Sequence, residues 1–378
     1  MYVPAPGITR PVEVAANLAE LGNDVIAISR PARQWLEIGL DIKPIRFGTL
    51  PVVGRVLLNG YGLVLAVLTI ARWKPDVIYT LGGSLGTGFL LAKLFRLPLV
   101  TEVNGLVRAE LESFSKRSFS MLIGRISCWI DEREIKYSDH IIVVIASMKE
   151  VFQKDLDIPG RRITVIPNGA NVKFFGPMGD TKKALGLDPD CHYVGFVGGS
   201  SPWQGLHNFI SCAPLVLEEV PNAKFLLVGD GVVKGRLAES VEELHLTGAF
   251  VFVGKVPYTE VPKYINAMDI GISFRKGTPA SPLKIYEYMA CGKPVVATDS
   301  PDNDVVRDHN AGILVNPDDS TETADAIISL LRNDGLREQM GENGRKYVSE
   351  QRSWQVVTRE IEETIRSVLE SKYQQAEP

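Results

Sequence analysis

Lys284 and Glu287 stand one helical turn apart in SPLKIYEYMACGKPVVATDSP, residues 281–301. Ser281 suits a helix N-cap, Pro282 the first helical position, and Gly292 the place just past the end. A helix favours a carboxylate near its N-terminus and a cation near its C-terminus, so a lysine ahead of a glutamate is the less comfortable order. The cost is only about a few tenths of a kcal/mol, and a solvated pair on a surface helix explains the spacing as well. A bound anion would explain the order too. The positive end of a helix opening at Pro282, and the glycine turn in GFVGGSSPWQG (residues 195–205), both offer backbone N–H groups to phosphates. That turn does not match GxGxxG, which disfavours an NAD-dependent dehydrogenase.

Such groups need a frame. A chain of 378 residues exceeds one typical core, so two domains are expected. The composition is that of a globular protein, and a net charge of −4 with both signs interspersed argues against nucleic acid as a partner. Cys128, Cys191, Cys212 and Cys291 form no CxxC pair, which points to a reduced, cytoplasmic compartment rather than a disulfide scaffold or zinc site. The most apolar run, YGLVLAVLTIA (61–71), is about half the ~20 residues a spanning helix needs, and reads as a helix against a sheet. Aspartate triples at 155–157, 188–190 and 302–304 lack the strand context of a metal site, so no metal is expected; SPDNDVV reads as an acidic helix start.

Apolar β-branched runs alternate with helical patterns throughout. Strands are expected at 24–29, 76–80, 97–103, 140–146 and 162–167, then at 192–199, 223–229, 249–254, 269–274, 294–298 and 312–315. Continuous apolar strands separated by helices imply α/β architecture with parallel sheets covered on both faces. The pattern breaks at NGANVKFFGPMGDTKKALGL (168–187), giving an N-terminal domain 1–172 and a C-terminal domain 173–352. Only Met1–Val3 precede PAPGITRP, so the first, central strand is expected to be missing or reduced to a stub.

The ordered set VIPNGAN, FLLVGDG, VFVGKVPYTEVPKYINAMDIGIS and SPLKIYEYMACGKPVVAT resembles family 4 glycosyltransferases of the GT-B fold, over nearly the whole chain. The resemblance implies two Rossmann-like domains facing a central cleft, and a metal-independent, cofactor-free, retaining transfer of sugar from a nucleotide-sugar. It implies that Glu287 accepts hydrogen bonds from a ribose diol while Lys284 reaches the diphosphate. Donor contacts then fall on Gly198, Gly199, Gln204, Gly229, Lys255, Val256, Arg275, Lys276, Ser281, Pro282, Leu283, Lys284 and Glu287. Backbone groups around Lys255–Tyr258 would select the base. The final helix, residues 353–372, would return to the N-terminal domain.

The chain also departs from the family. The arginine and lysine that usually follow the first glycine turn are replaced by Gly199 and Gln204, leaving Arg275, Lys276 and Lys284 as the available cations. The first glutamate of the family's pair falls at Pro279. Asn104 stands where many relatives have a histidine; it can position a sugar hydroxyl but cannot act as a base. Gly7, Thr9 and Arg10 match the family's acceptor-side phosphate loop, with Glu102 nearby.

The function expected is transfer of a sugar from a UDP- or GDP-sugar to a polysaccharide or lipid-linked glycan acceptor in cell-envelope biosynthesis. A sugar-nucleotide 2-epimerase of the same fold, or a non-catalytic nucleotide-sugar-binding protein, are the alternatives. The segment 113–139 combines Lys116, Arg117 and Arg125 with Phe119, Met121, Leu122, Ile126 and Trp129. It reads either as a helix packed on its sheet or as a surface for peripheral contact with an anionic membrane at its inner face.

Overall fold

The β-branched runs become strands and the periodic runs between them helices, in a computed structural model that describes residues 2–3, 9–29, 41–44, 53–82, 86–105, 119–277 and 281–376. The chain divides into two units, Met1–Pro167 with Trp354–Pro378, and Asn168–Ser353. The first boundary falls earlier than the glycine and proline content suggests. Ala170 bridges Ser353 and its N–H donates to the Arg352 carbonyl at 3.0 Å, while Phe175 is buried in the second unit's core, so 168–172 belong there.

The first unit holds a parallel sheet of β1 (Tyr2–Val3), β2 (Ile26–Ser29), β3 (Asp41–Pro44), β4 (Ile78–Leu81), β5 (Leu99–Val103), β6 (His140–Val143) and β7 (Ile163–Val165). Their order is β3-β2-β1-β4-β5-β6-β7. The first strand is present, two residues long, and central, with Tyr2 opposite both Ile28 and Thr80. β3 escapes the sequence reading because Asp41, Lys43 and Pro44 suit only a sheet edge. Connections that step from β3 through β7 run one way along the sheet, and right-handed crossover puts their helices on one face. These include Val53–Trp73, Thr87–Phe95 and Phe119–Tyr137. Thr9–Glu20 steps the other way, and the final helix Trp354–Ala376 packs against it, Asn23 Nδ2 donating to Glu362 Oε1 at 3.0 Å.

The second unit repeats the scheme with β8 (His192–Val197), β9 (Ala223–Val228), β10 (Phe250–Gly254), β11 (Ile270–Ser273), β12 (Val295–Thr298) and β13 (Gly312–Val315). The order is β10-β9-β8-β11-β12-β13, all parallel. β8 and β11 are buried almost throughout, and a hydrophobic core lies on each face of the sheet. The strand order reverses between β8 and β11, so the loops after these two strands part and leave a crevice at their C-terminal ends, where ligands of open α/β sheets bind.

Candidate functional site

At the crevice of the second unit, the loops after β8, β9 and β10 run on as a ladder. Gly198 N–H donates to Val228 O at 2.9 Å, Ser200 N–H to Asp230 O at 3.0 Å, and Gly229 N–H to Gly254 O at 2.8 Å. Glycine is required at two positions. A Cβ at Gly229, which sits at φ +135°, would lie 1.9 Å from the Gly198 carbonyl oxygen. Gly198, at φ +140°, would place a Cβ 3.2 Å from Lys284 Nζ, so this backbone and the lysine face each other closely. Gly199 has room for a side chain, its nearest neighbour being Asp230 O at 3.8 Å.

The helix Leu283–Ala290 starts one residue later than the sequence suggests. Pro282 takes the capping position without a side-chain cap, and Ser281 is instead stapled to Asn168, whose Nδ2 donates to its carbonyl at 2.7 Å. Gly292, at φ +69°, follows the helix as expected. Tyr288 fixes the helix over the crevice: its hydroxyl accepts from Val197 N–H at 2.8 Å and donates to the Ile272 carbonyl at 3.4 Å, joining the ends of β8 and β11. Burial pushes this phenol far above its usual range, so it stays neutral and able to donate.

Lys284, one turn before Tyr288, points to the β8 loop. Its ammonium donates to Gln204 Oε1 at 2.8 Å and lies 4.0 Å from the centroid of the Phe196 ring. Loss of water and the Arg275 charge pull its pKa down to about 7, with Glu287 acting in the opposite sense. Glu287 is 7 % exposed, and its Oε1 accepts from the Tyr258 hydroxyl at 2.9 Å. Tyr258 in turn stacks on Phe174 and meets Phe175 edge-on, with half-buried Val256 in the same core. Thr298 Oγ1 accepts from the backbone N–H of Arg275 at 2.8 Å, which fixes that residue at the end of β11.

The structure therefore gathers Gly198, Gly229, Gln204, Arg275, Lys284 and Glu287 around one helix start, with Ser281, Pro282 and Leu283 forming its entry. Lys276 is a correction. It is exposed and its ammonium is paired with Asp318, so it does not join Lys284 as a replacement cation. Lys255 is exposed on the loop after β10. Phe196, Tyr258, Asn168 and Tyr288 are side chains the sequence reading did not select; tyrosines on either side of Glu287 were its only visible signal. In two of the aspartate triples the contacts are local: Asp190 N–H donates to Asp188 Oδ1 at 3.0 Å, and Asp304 pairs with Arg307.

In the first unit Gly7, Lys116 and Arg117 lie outside the described residues, as does Pro279 of the second unit. Thr9 opens the helix Thr9–Glu20, and Arg10 is 1 % exposed. Its Nε donates to Glu102 at 2.9 Å and its Nη1 to the Pro167 carbonyl at 3.0 Å. Glu102, fully buried, also accepts from Tyr79 Oη at 2.5 Å and from Asn104 Nδ2 at 2.9 Å. Burial first, then the Glu102 charge, hold Tyr79 well above its usual range. The expectation that Arg10 adds positive charge to a phosphate loop is thus corrected: its charge is matched by Glu102. Among the described residues, the buried Oδ1 of Asn104 receives no hydrogen bond.

Residues 9–174 match the family described as Glycosyltransferase Family 4, and residues 178–347 that described as Glycosyl transferases group 1. An uncharacterized glycosyltransferase of Methanocaldococcus jannaschii is 28 % identical over 285 residues, 72 % of this chain and 69 % of the relative. The UDP-Gal:alpha-D-GlcNAc-diphosphoundecaprenol alpha-1,3-galactosyltransferase of Escherichia coli is 25 % identical over 273 residues, 69 % of this chain and 67 % of that one. Among solved structures, Anabaena HepE in complex with UDP and glucose superposes with a TM-score of 0.77 at 19 % identity, covering 97 % of this chain and 99 % of its own. Sucrose-phosphate synthase from Thermosynechococcus elongatus gives 0.78 at 18 %, covering 98 % and 100 %. These neighbours share the GT-B architecture of two Rossmann-like parallel-sheet domains. Matched by one family description after the other along its length, the chain belongs to the family 4, group 1 glycosyltransferases.

Proposed function

We propose that the chain transfers a sugar with retention of configuration from a UDP- or GDP-sugar to a polysaccharide or lipid-linked glycan acceptor of the cell envelope, without a metal or cofactor. One observation carries this reading: the Lys284 ammonium is held 2.8 Å from Gln204, against the Gly198 backbone, at the start of a helix whose next turn presents Glu287. The helix start, Lys284 and the neighbouring Arg275 take the diphosphate, whose negative charge grows as the sugar–phosphate bond breaks. Glu287, oriented by Tyr258, accepts hydrogen bonds from the ribose diol.

No protein base is required. As the bond from the anomeric carbon to the phosphate oxygen breaks, the acceptor oxygen bonds to that carbon on the same face. The acceptor's proton passes to the departing phosphate oxygen. The Escherichia coli relative, named for UDP-Gal and a diphosphoundecaprenol-linked acceptor, and the HepE complex with UDP favour a uridine donor and a lipid-linked acceptor. Calorimetric titration with UDP and GDP, followed by turnover with a panel of nucleotide-sugars, tests the reading. Binding of one nucleotide that Glu287→Ala weakens at least tenfold is expected; titrations unchanged by that substitution would remove the ribose role, and binding without any turnover would leave a donor-binding protein.

A further inference from the structure

Three neighbouring helices of the first unit turn apolar stripes outward. On Val53–Trp73 the stripe is Val64 and Leu68, on Thr87–Phe95 it is Leu90 and Leu94, and on Phe119–Tyr137 it is Ile126 and Trp129. Each of the six is between 50 and 65 % exposed. The opposite faces supply Ala66, Ile70, Leu91, Cys128 and Ile135 to the interior, so each helix is apolar on both sides. The three helices lie on one face of the sheet, and Phe89 stacks on Tyr137 at 5.1 Å to tie the second to the third. A solvated helix layer does not need such stripes, and three side by side make a surface rather than scattered residues.

Charge identifies what covers it. Every exposed charged side chain among the described residues of these helices is basic: Arg72, Lys93, Arg125, Arg133 and Lys136. The carboxylates of the third helix are withdrawn, with Asp131 and Glu134 buried and Glu132 half-buried. Exposed carboxylates among the described residues of the flanking turns include Asp76 and Asp139, the latter paired with Lys372. This cationic layer belongs to a chain whose net charge is −4, so the sign is local and not a property of the whole surface. The Arg133 guanidinium lies 4.8 Å over the Trp129 ring and Lys93 5.8 Å from that of Phe89, putting cations and aromatic faces at the same level. An apolar, aromatic and basic surface at one depth matches the boundary between acyl chains and anionic headgroups. No helix among the described residues is long and apolar enough to cross a membrane, so contact would be made from one side.

We propose that the helix layer formed by Val53–Trp73, Thr87–Phe95 and Phe119–Tyr137 docks on an anionic lipid leaflet, its leucines and Trp129 entering the headgroup boundary and its arginines and lysines meeting lipid phosphates. This widens the single-segment surface expected from residues 113–139 to three helices, and it deepens the reading of a lipid-linked acceptor while standing on a different part of the molecule.

The test uses the full chain without nucleotide, so its failure is separate from a failure of sugar transfer. Co-sedimentation with phosphatidylglycerol vesicles at low salt is expected to pellet the protein, and pure phosphatidylcholine vesicles or high salt to release it. Leu90→Ser with Leu94→Ser, and separately Lys93→Glu with Arg133→Glu, should each cut vesicle binding at least fivefold while UDP affinity and circular dichroism hold. Trp129 emission should shift to the blue on vesicles and be quenched by brominated lipid, a signal that Trp129→Phe removes. No pelleting by the wild type, pelleting indifferent to both pairs, unquenched Trp129, or a wild-type dimer that the leucine pair dissociates in the absence of vesicle binding would each overturn the proposal.

Discussion

Each unit carries a cation and a carboxylate close to the place where its strand order reverses, and they are used in opposite ways. In the first, Arg10 and Glu102 bond each other at 2.9 Å, both nearly free of solvent, and Tyr79, Asn104 and Pro167 are among their further partners. In the second, Lys284 donates to an amide oxygen and Glu287 accepts from a phenol. A pair neutralised in place holds strands together. A lysine held by an uncharged amide can answer a charge that arrives later, and burial together with the neighbouring Arg275 charge draws its pKa down to about 7.

The largest effect that could break this contrast is on stability. Arg10→Ala leaves the Glu102 carboxylate buried without its ion partner and should destabilise the protein by about 3–5 kcal/mol. Calorimetric melting would show it, while UDP affinity of the folded fraction should stay within twofold. If Arg10→Ala melted normally but lost nucleotide binding, the two regions would have to exchange roles.

Next comes pH. In the free protein Lys284 titrates near 7, well below an ordinary lysine, and a bound diphosphate favours its protonated form. Binding should therefore take up a proton above neutrality, and UDP affinity should fall as pH rises from about 7 toward 9. For stability the sign is reversed. The unfolded lysine holds a proton that the folded one gives up between about 7 and its ordinary value of 10.5, so this residue's contribution rises with pH across that window. Lys284→Met should weaken UDP at pH 6.5 at least tenfold, flatten the affinity profile and leave the melting temperature at that pH unchanged or raised. Calorimetry in buffers of different ionisation enthalpy reads the proton directly.

The smallest effect should come from Tyr258→Phe, which removes one hydrogen bond worth about 1 kcal/mol and keeps the aromatic stack. A three- to tenfold loss in UDP affinity with a melting temperature lowered by about 2–4 °C is expected. An equal loss for a deoxyribose nucleotide in wild type and variant would detach Tyr258 from the ribose contact.

Strands β8 to β13 and the helix carrying Lys284 and Glu287 were legible because apolar runs and caps are local signals. β3 was not, since its sequence DIKP carries the marks of an edge. Partnerships were legible least. Arg10 and Glu102 are 92 residues apart, Gln204 and Lys284 80, and Tyr258 and Glu287 29; nothing in the periodicity around either partner marks the pairing. Gln204 is the instructive case: read along the chain it is a missing cation, whereas in space it is the acceptor that aims Lys284.

Tyr288 has a mechanical consequence. Because its hydroxyl is moored to two adjacent strand ends, the helix bearing Lys284 and Glu287 cannot slide or roll without tearing a contact to the sheet. The helix is thus an anvil: whatever adjustment accompanies capture of a nucleotide falls to the loops and side-chain torsions around it, and the spacing between the two charges is set before the ligand comes.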